Sequence, residues 1–146
     1  MPETKQLCTF YAGGGYFGIP VEQVQEVVMP HSLTPVPLAP KEVRGLINLR
    51  GQILTAIDIG YRLSLRELGD ESRLLNVVVR TDDSPVSLLV DEIGDVLDVE
   101  ESSFEPPPET LQGEMRELIE GAYKLEGRLL LALSTKRTMK LSSAAP

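Results

Sequence analysis

Short runs of apolar and β-branched residues, separated by glycine and proline, recur along the whole chain. The first two runs, QLCTFYA and YFGI, flank three consecutive glycines at positions 13–15. Glycine adopts positive φ without a steric penalty, so this cluster predicts a hairpin turn. LLNVVVR and VSLLV form a second pair around the turn-forming segment TDDSP. Runs of this length and spacing predict antiparallel β-strands.

Helical signals are short and weak. VEQVQEVV fits helical spacing at its valines but is only eight residues long, so we expect one helical turn that leads into a strand. We expect the same of DEIGDVLDV. SLRELGDESR, residues 64–73, predicts a short bridging helix in which Ser64 is the cap and Glu67 lies three residues later. The proline-rich segment MPHSLTPVPLAPKE predicts an extended surface loop.

The chain contains an internal repeat. FGIPVEQVQEVV aligns without a gap on VSLLVDEIGDVL, at a constant separation of 69 residues. VRGLINLRGQILTAIDI aligns on IEGAYKLEGRLLLALST at a separation of 76, which places Gly45 on Gly121 and Gly51 on Gly127. Two ungapped blocks in the same order favour duplication over chance similarity. In both copies of the second block, an apolar strand reaches a charged turn closed by glycine.

The repeat and the strand pattern together predict an all-β fold. We expect a single domain over residues 1–146, with one lobe at about 1–70 and a second at about 71–146. Each lobe would hold about five short strands closed into a small barrel, since closure removes exposed strand edges. Short helices would connect the two side-by-side lobes. The apolar runs at 77–79 and 88–90 would pack between them, because neither lobe has much core of its own.

Composition and charge narrow the classes of partner. The 146 residues carry a net charge of −8 at pH 7, which disfavours nucleic acid and anionic membrane surfaces because both attract basic faces. No apolar run approaches the roughly 20 residues of a membrane span, and the N-terminus shows no export signal. The single cysteine, Cys8, is consistent with a cytoplasmic location. Protein or small-molecule partners remain.

Catalytic and metal-binding patterns are weak throughout the sequence. The one histidine, His31, lies in the proline-rich loop and has no acidic residue at a suggestive spacing. The acidic run at 91–98 lacks the glycine and terminal glutamate of a calcium loop. Glycines 13–15 are not followed by the Lys-Ser/Thr pair of a phosphate-binding loop. We therefore expect no enzyme activity, no cofactor and no metal.

A few polar residues lie among apolar ones, and the folding of a barrel alone does not require them. They are Gln25, Glu26, Arg44, Asn48 and Arg50. Arg50 lies in the glycine-bracketed turn, and its counterpart in the second repeat is Glu126, of opposite charge. Arg50 could brace backbone carbonyls with its forked guanidinium, or it could contact a partner. The residues alone leave these two roles open.

Four blocks, in order, resemble the CheW-like coupling proteins of bacterial chemotaxis. VRGLINLRGQILTAIDI resembles the hallmark Asn-Leu-Arg-Gly block of that family, and FGIPVEQVQEVV resembles its first block. VSLLVDEIGDVLDVEESSFEPPPE and IEGAYKLEGRLLLAL resemble the third and closing blocks. The resemblance covers roughly residues 6–137. It implies two five-stranded SH3-like barrels packed side by side, in agreement with the repeat.

The resemblance also implies a function. It points to a non-enzymatic adaptor that joins the cytoplasmic tip of a methyl-accepting chemoreceptor to the regulatory domain of a chemotaxis histidine kinase. Such an adaptor would be cytoplasmic and recruited to membrane-associated receptor arrays. The family's partner-binding positions correspond to Val24, Glu26, Gly45, Asn48, Arg50 and Gly51.

Two departures from the family pattern leave alternatives open. Gly60 stands where the family often has arginine, and the segment after Leu133 is short and polar. These differences admit a paralogous pathway, such as surface motility. An alternative of another class is a small-molecule-binding β-barrel module that uses the cleft between the lobes.

Overall fold

The computed structural model describes residues 3–140 of the chain, which form two β-sheets with short helices at their ends. The strands are β1 (Thr4–Ala12), β2 (Gly15–Pro20), β3 (Val24–Val28), β4 (Val43–Leu49), β5 (Gln52–Asp58), β6 (Leu75–Val79), β7 (Val86–Val90), β8 (Glu92–Glu100), β9 (Phe104–Glu105), β10 (Ile119–Leu125) and β11 (Arg128–Leu133). The helices are α1 (Ile59–Arg62), α2 (Gly113–Leu118) and α3 (Thr135–Thr138). In the described part of the chain, no helix is long and apolar enough to span a membrane.

The predicted all-β class and the predicted hairpins are confirmed. Glycines 13 and 14 both have positive φ and join β1 to β2. The expected helical turn is present at Val21–Gln23, directly before β3. Its expected counterpart before β8 is absent, because β8 begins at Glu92 and a single residue, Asp91, separates it from the end of β7.

The helix predicted at residues 64–73 was wrong. The chain forms α1 earlier, because Asp58 accepts a hydrogen bond from the Tyr61 amide at 3.2 Å and caps a helix that ends at Arg62. Ser64 lies just beyond that end with φ of 60°, a left-handed conformation that terminates a helix rather than starting one. Only a 3₁₀ turn at Glu71–Arg73 follows.

The two sheets do not divide the chain at residue 70. The five-stranded sheet has the order β3-β6-β7-β5-β4, and the six-stranded sheet has the order β8-β1-β2-β11-β10-β9. Each sheet therefore takes strands from both halves of the sequence. The strand pairing of residues 3–140 leaves each sheet with two edge strands, so both sheets are open in their backbone hydrogen bonding and not closed as barrels.

The sequence repeat is present as an exchange of strands. The first hairpin of each repeat, β1-β2 or β6-β7, joins the sheet that holds the later strands of the other repeat. In the five-stranded sheet β5 runs parallel to β7 and pairs Ala56 with Ser87. In the six-stranded sheet β11 runs parallel to β2 and pairs Ala132 with Gly18. Gly18 corresponds to Ser87 at the separation of 69, and Ala56 corresponds to Ala132 at the separation of 76. The two repeats therefore make the same parallel pairing with corresponding residues.

The core has three parts. The largest cluster lies between the sheets and contains Phe10, Phe17, Ile57, Leu118 and Leu131 among others. Each sheet also encloses its own cluster, around Leu54 in the five-stranded sheet and around Leu130 in the other.

The runs at 77–79 and 88–90 serve two of these clusters in alternation. Val77, Val79 and Leu88 pack between the sheets, whereas Val78 and Leu89 point into the five-stranded sheet. The expectation that both runs pack between the lobes is therefore met by alternate residues only, because successive side chains of a strand point to opposite faces.

Candidate functional site

The turn between β4 and β5 has an unusual backbone. Arg50 has φ of 54° and Gly51 has φ of 88°, a combination that two-residue hairpin turns require and that asparagine and glycine usually supply. A left-handed conformation costs an ordinary L-residue about 1–2 kcal/mol. At the matching β10-β11 turn, the described backbone has positive φ at Gly127 but not at Glu126. The arginine is therefore held in a strained position that its counterpart does not share.

Asn48 stabilises this turn directly. Its side-chain oxygen accepts a hydrogen bond from the Gly51 amide at 2.8 Å. This bond ties the end of β4 to the turn and helps to hold the left-handed pair in place. Asn48 and Gly51 therefore act on the conformation of the turn, and Arg50 is the residue that the turn presents.

The Arg50 side chain is 67 % exposed, and its guanidinium donates to the carboxylate of Glu26 on β3. Strand β3 is at one edge of the five-stranded sheet, and β4 is at the other. The sheet therefore curls until the tip of the β4-β5 hairpin reaches the opposite edge strand. An exposed ion pair of this kind contributes about 0–1 kcal/mol to stability, which does not exceed the cost of the strained turn.

Two further predicted positions have mainly structural surroundings. Val24, two residues before Glu26, is half-buried against the core between the sheets, and its carbonyl accepts from Arg80 at 2.8 Å. Gly45 is buried with φ of 149°, and a Cβ placed there would lie 2.6 Å from the carbonyl oxygen of Thr34. The structure thus places Gly45 under the proline-rich loop and brings Glu26, Asn48, Arg50 and Gly51 together. We call the last four residues the Arg50 surface.

An exposed apolar side chain beside the Arg50 surface was not identified from the sequence. Ile53 is paired with Asn48 across the hairpin and is 54 % exposed. The available signal was an apolar residue at an outward position of an alternating strand, which indicates a protein contact when it lies beside charged groups.

Arg44, which the sequence left unexplained, belongs to an internal ion network. Asp58 is fully buried and pairs with Arg44 at 3.4 Å and with Arg66 at 2.8 Å. Arg66 also contacts Asp91 at 3.2 Å, and Asp91 accepts from the Gly13 amide at 2.7 Å. The network therefore links the end of β5 to the connection between β7 and β8 and to the β1-β2 turn.

Gly60 provides the space for part of that network. It is buried, and a Cβ added to it would lie 2.5 Å from Nε of Arg66. A larger residue at position 60 would displace the Arg66 guanidinium from Asp58. In this protein the glycine at position 60, where the family often has arginine, makes room for Arg66, which packs over it.

The remaining groups that the sequence raised show no reactive arrangement. Cys8 is half-buried in β1, and burial raises the pKa of its thiol, which disfavours the thiolate. The ring of exposed His31 lies 2.9 Å from the Met29 carbonyl through Nδ1. Within residues 3–140, no group of three or more histidine, cysteine, aspartate or glutamate side chains could hold a metal ion.

A family model describes nearly the whole chain. Residues 6–142 match the CheW-like domain. Among similar proteins, the chemotaxis protein CheW of Treponema pallidum is 32 % identical, over 97 % of this chain and 89 % of that protein. The chemotaxis protein CheW of Bacillus subtilis is 33 % identical, over 96 % of this chain and 90 % of that protein.

Two further comparisons concern the fold and a related pathway. The crystal structure of scaffolding protein TtCheW from Thermoanaerobacter tengcongensis matches with a TM-score of 0.83 and 27 % identity, over 97 % of this chain and 95 % of that one. Protein FrzA of Myxococcus xanthus is 36 % identical over 50 % of this chain and 46 % of its own length. The chain belongs to the CheW-like domain family, the family of chemotaxis scaffold proteins.

Proposed function

We propose that this protein is a non-enzymatic adaptor that couples the cytoplasmic tip of a methyl-accepting chemoreceptor to the regulatory domain of a chemotaxis histidine kinase. It would act in the cytoplasm, at receptor arrays beneath the membrane. Family membership and the scaffold structure that it resembles support this role. Weak contacts to several partners suffice in an array, since each bound neighbour raises the effective concentration of the next.

We propose that the Arg50 surface contacts one of these partners. The observation that carries this assignment is an exposed arginine held with φ of 54° in a turn that asparagine or glycine would occupy without strain. Backbone strain of this kind persists at sites where function requires it. Ile53, paired with Asn48, adds exposed apolar area beside the turn, and interfaces typically combine an arginine with apolar neighbours.

Replacing Arg50 by asparagine separates a contact role from a structural one. Asparagine tolerates the left-handed turn, so we expect Arg50→Asn to leave the free energy of unfolding within about 1 kcal/mol of the parent value. We expect its affinity for the kinase regulatory domain or the receptor tip to fall about tenfold or more, as for a hot-spot arginine. Calorimetry with each partner and chemical denaturation measure the two effects.

Glu126→Asn is the matched control, since it changes the tip of the equivalent β10-β11 hairpin. It should leave the affinity for the partner that Arg50 contacts unchanged. If Arg50→Asn binds both partners as tightly as the parent protein, or loses affinity only in proportion to lost stability, Arg50 is a structural residue. If the parent protein binds neither partner, the adaptor function itself is rejected.

The pathway can be tested separately. The partial similarity to FrzA supports a paralogous system, such as surface motility, as the alternative to flagellar chemotaxis. Deletion of the coding gene should impair swimming chemotaxis in the first case and movement on surfaces in the second. Complementation with the parent protein and with Arg50→Asn connects either phenotype to the Arg50 surface.

A further inference from the structure

The six-stranded sheet carries a cavity of about 290 Å³ that is partly open to solvent and distinct from the Arg50 surface. Its walls come from β1, β2, β10 and β11 and from the segment that includes β9. The lining residues are Lys5, Leu7, Gly18, Pro20, Glu101, Phe104, Glu120, Tyr123, Ala132 and Leu133. The volume is at the lower end of the range for ligand-binding pockets, which suits a small metabolite.

The internal repeat shows why this sheet has a cavity. Leu7 pairs with Pro20 across β1 and β2, and the equivalent pair in the other sheet is Asn76 with Leu89. Gly18 corresponds in the same way to Ser87.

The corresponding space of the five-stranded sheet is filled. Asn76, Ser87 and Leu89 are all buried, and the Ser87 hydroxyl donates to the Asn76 side chain at 2.7 Å. Leu74, the counterpart of Lys5, is buried as well. Lysine, glycine and proline thus replace leucine, serine and leucine in the six-stranded sheet, and they leave the space open.

The cavity carries charges of both signs that are not paired with each other. Among the salt bridges of residues 3–140, none joins Lys5 to Glu101 or Glu120. All three nevertheless line the same space. Glu101 and Glu120 are exposed and Lys5 is half-buried, so none of the three needs an ion-pair partner for the fold. A ligand that carries both signs matches this arrangement.

One wall of the cavity is aromatic. The rings of Phe104 and Tyr123 lie 5.2 Å apart at 57°, and Tyr123 is only 4 % exposed. Burial, together with the negative charges of Glu101 and Glu120, raises the pKa of Tyr123. Both carboxylates therefore act on the buried tyrosine, and its hydroxyl stays protonated at neutral pH. The aromatic wall suits an apolar side chain, and the carboxylates beside it suit an ammonium group.

We propose that this cavity binds a small zwitterion of the α-amino acid class with an apolar side chain. The ligand's carboxylate pairs with Lys5, and its ammonium group pairs with Glu101 and Glu120. Its side chain packs against Phe104 and Tyr123. The proposal is independent of the adaptor function, because the cavity belongs to the six-stranded sheet and the Arg50 surface to the other.

Titration with charge-blocked analogues tests the proposal. The probes are L-leucine and L-phenylalanine, which are zwitterions, N-acetyl-L-phenylalanine, which lacks the ammonium group, and L-phenylalanine methyl ester, which lacks the carboxylate. We expect saturable binding of a zwitterion to the full-length protein by amide NMR, with shifts at Lys5 and Tyr123. Each blocked analogue should bind at least tenfold more weakly.

Single charge removals assign the contacts. Lys5→Gln should weaken zwitterion binding and abolish discrimination against the methyl ester. Glu120→Gln should reduce discrimination against the acetylated analogue. Glu117→Gln and Lys41→Gln, which lie outside the cavity, are the matched controls and should bind as the parent protein does. Thermal unfolding of every variant shows that the fold is retained.

Filling the cavity gives a charge-neutral test. Gly18→Ala adds a Cβ at the cavity wall, 3.3 Å from the nearest carbons of the fully buried Leu130, which must shift by a few tenths of an ångström to accommodate it. We expect this variant to bind the zwitterions several-fold more weakly. The proposal is overturned if neither amino acid binds saturably up to about 10 mM, if all four probes bind equally, or if the shifts map outside the cavity.

Discussion

At the scale of single residues, the two equivalent hairpin turns of the repeats differ in backbone conformation. Arg50 and Gly51 both have positive φ, whereas the Glu126 turn has positive φ at Gly127. The Arg50–Glu26 ion pair then fixes the side chain above the edge of the sheet. The sequence left open whether Arg50 braces the turn or contacts a partner. Asn48 already braces the turn, because its side chain accepts a hydrogen bond from the Gly51 amide. The turn therefore does not depend on Arg50 for its bracing, in agreement with our proposal that Arg50 contacts a partner.

Asp58 is the buried centre of the ion network at this scale. Its carboxylate is fully buried between Arg44 and Arg66, and without it Arg44 keeps Glu71 and Arg66 keeps Asp91 as ion-pair partners. We expect Asp58→Asn to lower the free energy of unfolding by about 1.5–3 kcal/mol, the contribution of a hydrogen bond to a charged group. The amide can still accept the capping hydrogen bond from Tyr61, so the loss reports on the ion pairs. Chemical denaturation measures it.

Asp82→Asn is the control for that substitution, because Asp82 lies in the exposed turn between β6 and β7. It should change the free energy of unfolding by less than about 0.5 kcal/mol. Equal losses in the two variants would show that the buried network contributes nothing specific to stability.

At the scale of elements, the hairpins and the helical turn at Val21–Gln23 followed the local sequence, and the bridging helix did not. Glycine at 13–15, 51 and 127 marks turns that are present where expected. The Ser64 and Glu67 pattern predicted a cap, but Asp58 caps α1 one turn earlier and the chain leaves the helix at Ser64. A capping pattern is a weak local preference, and the buried position of Asp58, which also pairs with two arginines, overrides it.

Gly45 tests the distinction between a structural glycine and a contact residue. A Cβ at this position meets the Thr34 backbone at 2.6 Å and requires φ of 149°, so we expect Gly45→Ala to destabilise the protein by about 1–3 kcal/mol. Gly127→Ala is the matched control, because its φ is also positive but no atom lies within 4 Å of the added Cβ. It should lose less stability than Gly45→Ala, as measured by thermal unfolding.

The affinity of the Gly45 variant for partners completes that test. If Gly45→Ala unfolds at the parent temperature and yet fails to bind the kinase regulatory domain, the glycine contacts the partner. The structure favours the opposite outcome, in which any loss of binding accompanies a loss of fold.

At the scale of the whole molecule, the repeats exchange strands and so depend on each other. Strands β1 and β2 complete the sheet of the second repeat, and β6 and β7 complete the sheet of the first. Neither half of the chain contains all the strands of one sheet. The main core also draws Phe10 and Ile57 from the first half and Val77 and Leu131 from the second.

This exchange predicts how fragments behave. Residues 1–70 and 71–146, produced separately, should each lack a cooperative unfolding transition. Mixed at equal concentration, they should associate and recover the circular dichroism and the unfolding transition of the parent chain. If either fragment folds alone as a stable monomer, the sheets do not require the exchange.

The sequence by itself determined most strand positions, the turns and the repeat, because these depend on local periodicity and on the backbone freedom of glycine. It also led to the CheW-like family through four ordered blocks. Only the tertiary structure decided which repeat supplies which strand, since the two hairpins are alike in sequence and either partner sheet could accept them. It likewise decided that Gly45 packs under Thr34, that Arg44 and Arg66 meet at Asp58, and that one sheet has a filled interior and the other a cavity. These features depend on contacts between residues that are distant in the chain, and local sequence patterns do not predict such contacts.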